Sequence, residues 1–312
     1  MSTANRSSWM STCFGGVAFA AIASTGACSK PDAKPDAKPA DTAPTLATAQ
    51  MVAAPDESTL GNDAVSLAVR RGRSLLNSTL DSLPTHVGND LRCTSCHLSD
   101  GRRAFAMPWV GVSARYPQMS ARSGRKIELT DRINECFQRN LNAPGIDPAG
   151  RDMRDIVAYM SWLSKGVAAG GVVVGQGVDM LAPLTPDTAA GARLFAKECA
   201  QCHGSVGSGA PGPRLFNGSE STIAAPLWGS KSFNVGSEFA RLSMVAAFIH
   251  TQMALNAPGS LTPQMAFDVA GMIIAQPRPD FAKKAGDWPA GGAPADVPYA
   301  TTGGGAKKAA KN

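Results

Sequence analysis

The sequence predicts a mainly α-helical chain made of two similar units in tandem, and three observations predict it. The string Cys-X-X-Cys-His occurs twice, as Cys93–His97 and Cys199–His203. Apolar residues at helical spacing precede each string and recur where each unit closes. The chain of 312 residues exceeds one small domain, and the spacing of the two strings suits two units of about 100 residues each.

The elements follow in order. Leu67 to Leu80 reads as a helix that includes Gly72 and the pair Leu75-Leu76. After the first string comes an irregular segment, then a short helix that Thr130 would cap, with Ile133, Cys136, Phe137 and Leu141 on its inward face. Arg151–Ser164 closes the unit, carrying Ile156, Val157, Tyr159, Met160 and Leu163. A Gly/Val-rich linker leads to a helix from Thr188 to Cys199, with Gly191 and Leu194-Phe195. Thr262-Pro263 is an N-cap and first-turn pair, and it opens a last helix that stops before Pro277.

A Cys-X-X-Cys-His string attaches a c-type haem. Each cysteine adds to a vinyl group as a thioether, and the adjoining histidine becomes the proximal iron ligand. Zinc held by paired CxxC motifs expects a spacer of about 15–20 residues, far shorter than the one here. A thioredoxin-like dithiol does not need histidine in both copies. The cofactor expected is therefore two covalently bound haem c groups, attached through Cys93, Cys96, Cys199 and Cys202, with His97 and His203 on iron. Few aromatics (6 %) fit a core partly filled by porphyrin.

Helix, Cys-X-X-Cys-His, loop, ligand and closing helix is the plan of class I cytochrome c, which this chain resembles twice. The fold class expected is thus mainly α, with two class I cytochrome c-like domains in tandem. In that family a proline carbonyl orients the proximal histidine, a role that Pro213 in the second copy and Pro108 in the first would take. The expected organisation is residues 1–28 as an export signal and 29–58 as a Pro/Ala/Lys-rich spacer. Residues 59–165 form domain 1, 166–186 the linker, 187–278 domain 2, and 279–312 a flexible Gly/Ala/Pro/Lys-rich tail.

The signal is a short apolar stretch, Phe14 to Ala23, too brief to span a bilayer. It ends in Thr25-Gly26-Ala27-Cys28, which resembles a lipobox and makes Cys28 the expected lipid anchor, in the periplasm. With Cys13 in the signal, Cys28 acylated and four cysteines on haem, Cys136 is left over.

The sixth ligands set what each haem does. In domain 2, Met253 lies just before the closing helix, where class I cytochromes place their methionine, with His250 and Met244 as rivals. In domain 1 the matching place holds Cys136, with Met107 and Met119 as rivals and a buried structural thiol as the plain alternative. Arg132, Cys136 and Asn140 stack at i, i+4 and i+8, so a guanidinium beside the sulfur favours thiolate and forms an anion site. From Cys93 to Arg139 there are eight Lys/Arg and four acids, so much of the formal excess surrounds the first motif. Export and the lack of a recognition motif argue against a nucleic-acid partner.

Further strings resemble the dihaem thiosulfate dehydrogenases over roughly residues 60–278. They are Asp100-Gly-Arg-Arg, Ala114-Arg-Tyr-Pro-Gln, Ser123-Gly-Arg, Asp131-Arg-Ile-Asn-Glu-Cys-Phe, Tyr159-Met-Ser-Trp-Leu-Ser and Pro226-Leu-Trp-Gly-Ser-Lys-Ser-Phe-Asn. The resemblance implies His97/Cys136 ligation of haem 1 and His203/Met253 ligation of haem 2. It implies oxidation of two thiosulfates to tetrathionate, with Cys136, Arg122, Arg132 and Asn140 as site residues and a soluble c-type cytochrome or similar acceptor. The cysteine sulfur is expected to leave iron transiently and carry a thiosulfonate adduct. Three positions depart from the family pattern: Asn140 for serine, Ser205 for glutamine, and Gln252 for lysine, which removes a Lys/Met ligand switch. The first two leave open tetrathionate reduction, another sulfur anion, or a non-catalytic carrier whose arginines dock an acidic partner.

Overall fold

Asp63 starts the first helix earlier than apolar spacing alone indicates, because its carboxylate accepts from the Val65 and Ser66 N–H groups at 3.0 and 3.1 Å. Helix α1 accordingly runs Ala64–Asn77, and the single turn α2 (Thr79–Ser82) is separate from it. These features belong to a computed structural model that describes residues 53–211 and 223–303. The export signal, Cys28, most of the spacer, Pro213 and residues 304–312 lie outside the described residues.

The remaining elements of the first half are the distorted turn α3 (Leu98–Gly101), the hairpin β1 (Gln118–Ser120) with β2 (Arg125–Ile127), α4 (Leu129–Arg139) and α5 (Arg151–Leu163). The strands pair antiparallel, Met119 opposite Lys126. Helix α4 is capped by Glu128, whose backbone N–H donates to Asp131 Oδ2 at 3.0 Å, so Thr130 lies inside the helix and is not its cap. Ile133, Phe137 and Leu141 are buried on its inward face, as its spacing predicts.

In the second half, α6 (Thr188–Glu198) leads into α7 (Ala200–His203). A two-residue bridge follows, β3 (Ala210–Pro211) with β4 (Ile223–Ala224), and then α8 (Leu242–Gln252) and α9 (Pro263–Ile274). Asp187 caps α6, and Thr262 caps α9 by accepting from Met265 N–H at 3.3 Å.

Each half is held by one helix crossing that a glycine makes possible. Helix α1 packs on α5, and a Cβ placed on Gly72 would stand 1.9 Å from the Asp155 carbonyl oxygen. Helix α6 packs on α9, and a Cβ on Gly191 would stand 2.0 Å from the Asp268 carbonyl oxygen. The obstacle is helix backbone in both cases, which cannot swing aside as a side chain can. Gly72→Ala and Gly191→Ala are each expected to cost about 1–3 kcal/mol or more. Thermal melts would show this as a lowered midpoint, and an unchanged midpoint would mean the helices can separate freely.

The linker and the tail both differ from expectation. Segment 166–186 runs against domain 1: Phe105 and Met107 N–H donate to the Gly175 and Gly177 carbonyls at 2.6 and 2.8 Å, and Val173 is buried. Residues 281–303 are not a loose tail. Phe281, Trp288, Val297 and Tyr299 are buried, and Asp287 pairs with Arg139 of α4. The Gly/Pro-rich composition prevents a helix, but four spaced apolar anchors suffice to seat the segment. The spacer also ends sooner than expected, since Glu57 already pairs with Arg73 and Arg102. No helix among the described residues is long and apolar enough to cross a membrane.

Candidate functional site

His97 accepts its orientation from the chain that follows it. Its Nδ1 lies 2.6 Å from the carbonyl oxygen of Met107, where φ is +50°, and its ring lies against Trp109 at 4.9 Å between centroids. A ring Nδ1–H donating to a carbonyl leaves Nε2 as the lone-pair nitrogen for a metal. Burial pulls the His97 pKa down to about 4, so the imidazole is neutral, as a metal ligand must be. The second motif repeats the arrangement, with His203 Nδ1 2.8 Å from the Ala225 carbonyl oxygen and burial again lowering its pKa. The orienting carbonyl is therefore not that of Pro108, but of the residue before it. Ala225 likewise precedes a proline, Pro226, and does in the second half what Met107 does in the first.

Cys93, Cys96 and His97 open onto a cavity of about 450 Å³, within the ~300–1,000 Å³ typical of cofactor sites. Leu76, Leu91, Ile127, Ile133, Phe137 and Met160 give it apolar walls. An apolar slot with two cysteines on one wall and a neutral, pre-oriented imidazole fits a covalently held porphyrin. In the second half, the Cys199 N–H donates to the Phe195 carbonyl at 2.9 Å, and the Phe195 and Trp228 rings lie 5.3 Å apart.

Cys136 lines the same cavity as the first motif, on α4, together with Arg132 and Asn140. Three residues anticipated from helical spacing thus converge. Charge attraction to the neighbouring Cys136 is the foremost influence holding the Arg132 guanidinium above its ordinary range, over the opposing cost of burial. Arg132 also pairs with Glu135 at 3.2 Å. The Asn140 side-chain oxygen accepts from Ser237 Oγ, so the residue that departs from the family serine is tied to the second half.

Arg122 reaches the cavity wall, but its guanidinium is engaged. It is 7 % exposed, donates to the Gly236 carbonyl at 2.8 Å, pairs with Glu238 at 2.6 Å and lies over the Trp288 ring at 4.7 Å. Met119 stands at the rim, 68 % exposed, and Met107 flanks the His97 side. Met244, weighed as a ligand in domain 2, instead lines the first cavity from the start of α8. Met253 follows the end of that helix and packs, half-buried, on the core. His250 is fixed by the Leu261 carbonyl at 2.7 Å. Gln252, 3 % exposed, donates to the Ala104 carbonyl of domain 1 at 3.1 Å.

Sequence reasoning missed Arg115, Tyr116, Glu238 and Phe239 and assigned Met244 to the other domain, and all five line the cavity. Glu238, Phe239 and Met244 come from the second half, over a sequence distance at which no local pattern operates. Arg115-Tyr116 had a signal, since both fall within a quoted family string.

Fold and motifs together define a c-type cytochrome with two cytochrome c domains in tandem. Residues 86–169 match the SoxA/TsdA cytochrome c domain, and residues 186–265 match the family described as cytochrome C oxidase, cbb3-type, subunit III. A thiosulfate dehydrogenase of Psychrobacter arcticus is 43 % identical over 244 residues, 78 % of this chain and 73 % of its own. One from Allochromatium vinosum is 42 % identical over 241 residues, covering 75 % of this chain and 86 % of the relative. The solved thiosulfate dehydrogenase TsdBA of Marichromatium purpuratum superposes with a TM-score of 0.66 at 33 % identity. That match covers 73 % of this chain but half of the other's length. The chain belongs to the thiosulfate dehydrogenase family.

Proposed function

We propose that this chain oxidises two thiosulfates to tetrathionate in the first cavity and passes the electrons through the second domain to a soluble cytochrome or similar acceptor. The observation that carries the reading is the convergence of Cys136 and Arg132 with the Cys93–His97 motif in one cavity. In this reading His97 and Cys136 ligate the first haem, and His203 and Met253 the second. Haem c bound at both motifs supplies two one-electron acceptors, matching the two electrons the reaction releases, with the thiolate-ligated centre at the lower potential.

The chain's own residues supply the rest. The cationic wall offsets the repulsion of two dianions brought together. Cys136 Sγ forms a bond to the terminal sulfur of one thiosulfate as two electrons leave, giving a Cys136 thiosulfonate. The terminal sulfur of a second thiosulfate then attacks that same outer sulfur. The S–S bond to Cys136 breaks, the thiolate returns, and tetrathionate departs. Arg132 stabilises the thiolate as both nucleophile and leaving group. The protein acts in the periplasm, held to a membrane through Cys28.

The test uses the soluble form with both haems attached. Thiosulfate should reduce an artificial acceptor with one tetrathionate formed per two electrons. Intact, reducible haems without thiosulfate turnover would defeat the reading.

A further inference from the structure

Four guanidinium groups line the first cavity: Arg92, Arg115, Arg122 and Arg132. Three are anchored. Arg92 donates to the Asn77 carbonyl at 3.4 Å, Arg122 is held by Glu238 and Gly236, and Arg132 by Glu135. Arg115 ends the 3-10 turn Ser113–Arg115, half-buried. Its Nε is shut off from solvent with no acceptor, and its side chain has no ion pair or hydrogen bond among the described residues. An Nε–H withdrawn from water without an acceptor, on a guanidinium with no partner at its terminal nitrogens, is in place for a bound group that brings oxygens.

The surroundings indicate which group. Arg115 is near enough to Arg132 for the charge of one to act on the other, and Arg132 in turn lies beside Cys136. Tyr116, next in the chain, also feels both Arg132 and Cys136. Arg115 therefore lines the same cavity as Cys136 and stands within charge range of the arginine beside that sulfur. Burial lowers the proton affinity of Arg115 without any carboxylate to offset it.

We propose that Arg115 is the anion anchor of this site, its planar fork binding sulfonate oxygens of thiosulfate so that the terminal sulfur faces Cys136. Arg122, whose Nε also lacks an acceptor but whose two terminal nitrogens are held by Gly236 and Glu238, is a post that joins the two halves. This assignment rests on reading the cavity as a thiosulfate site. A propionate of the first haem offers the same oxygen chemistry, and the experiment separates the two.

Arg115→Gln and Arg115→Lys would be prepared with both haems attached. Thiosulfate binding would be measured by calorimetry on protein reduced with ascorbate, alongside KM, kcat and the potential of each haem without thiosulfate. Arg115→Gln should weaken thiosulfate binding about 10- to 100-fold, the range of a lost charge-assisted hydrogen-bond pair. KM should rise more than kcat falls, haem potentials should hold, and Arg115→Lys should recover only part of the affinity. Unchanged binding, or a shifted first-haem potential with unchanged binding, would overturn the assignment, the latter in favour of the propionate. Wild-type protein that binds no thiosulfate would overturn the thiosulfate reading itself.

Discussion

Cys136→Met lowers thiosulfate turnover about 10³-fold or more, while both haems stay attached and reducible. Methionine is longer but still offers a sulfur, and a thioether can form neither a thiolate nor an adduct that the next thiosulfate can cleave. Losses of this size or larger accompany deletion of a nucleophile in other enzymes. The cavity keeps its shape, since Cys136 is only half-buried and the apolar face of α4 rests on Ile133 and Phe137. Activity, haem content and the visible spectrum would be measured on one preparation. A variant that still turns over thiosulfate would show that Cys136 is a ligand alone, or neither ligand nor nucleophile.

The largest stability loss is expected at Asp287→Ala. Asp287 accepts from both terminal nitrogens of Arg139, at 2.8 and 2.7 Å, and from Tyr299 Oη at 2.6 Å. Both charged side chains are at most 10 % exposed, and Arg139 lies over the Phe281 ring at 4.5 Å. Removing one partner strands the other charge away from water, which costs about 3–5 kcal/mol, whereas an exposed pair is worth about 0–1. Denaturant melts would report it. Arg139→Met with Asp287→Leu should be milder than Asp287→Ala alone, because no orphan charge remains. Because Arg139 ends α4 directly before Asn140, Asp287→Ala is also expected to raise the KM for thiosulfate. A melt within 1 kcal/mol of wild type would mean that residues 281–303 contribute nothing to the packing of α4.

What the sequence disclosed was what is local. The two attachment strings, the helices around them and the shared face of Arg132, Cys136 and Asn140 are written in spacings of one to eight residues. Those spacings determine geometry directly, through thioether reach and helical pitch. The closing helices were equally legible, because Thr262-Pro263 and the apolar period of Arg151–Leu163 need no distant partner. Glu238, Phe239 and Met244 lie beyond that range. Their places in the first cavity depend on how one half docks on the other, which no motif encodes. Composition misled at the C-terminal segment, where Gly and Pro are frequent but Trp288, Val297 and Tyr299 decide the outcome. It misled at Arg122 as well, since a basic residue in a basic stretch gives no sign of a carboxylate waiting over a hundred residues away.

Helix α8 begins inside the first cavity at Met244 and delivers Met253 just past its other end. At 1.5 Å per residue these nine steps measure about 13–14 Å. In the reading proposed above, with Met253 on the second haem, the helix is a ruler laid between the two centres, and its graduations are helical turns. One residue inserted into it would swing one end by about 100° against the other, and a whole turn would lengthen the gap by about 5 Å. In that reading the length of α8 sets the separation of the two centres.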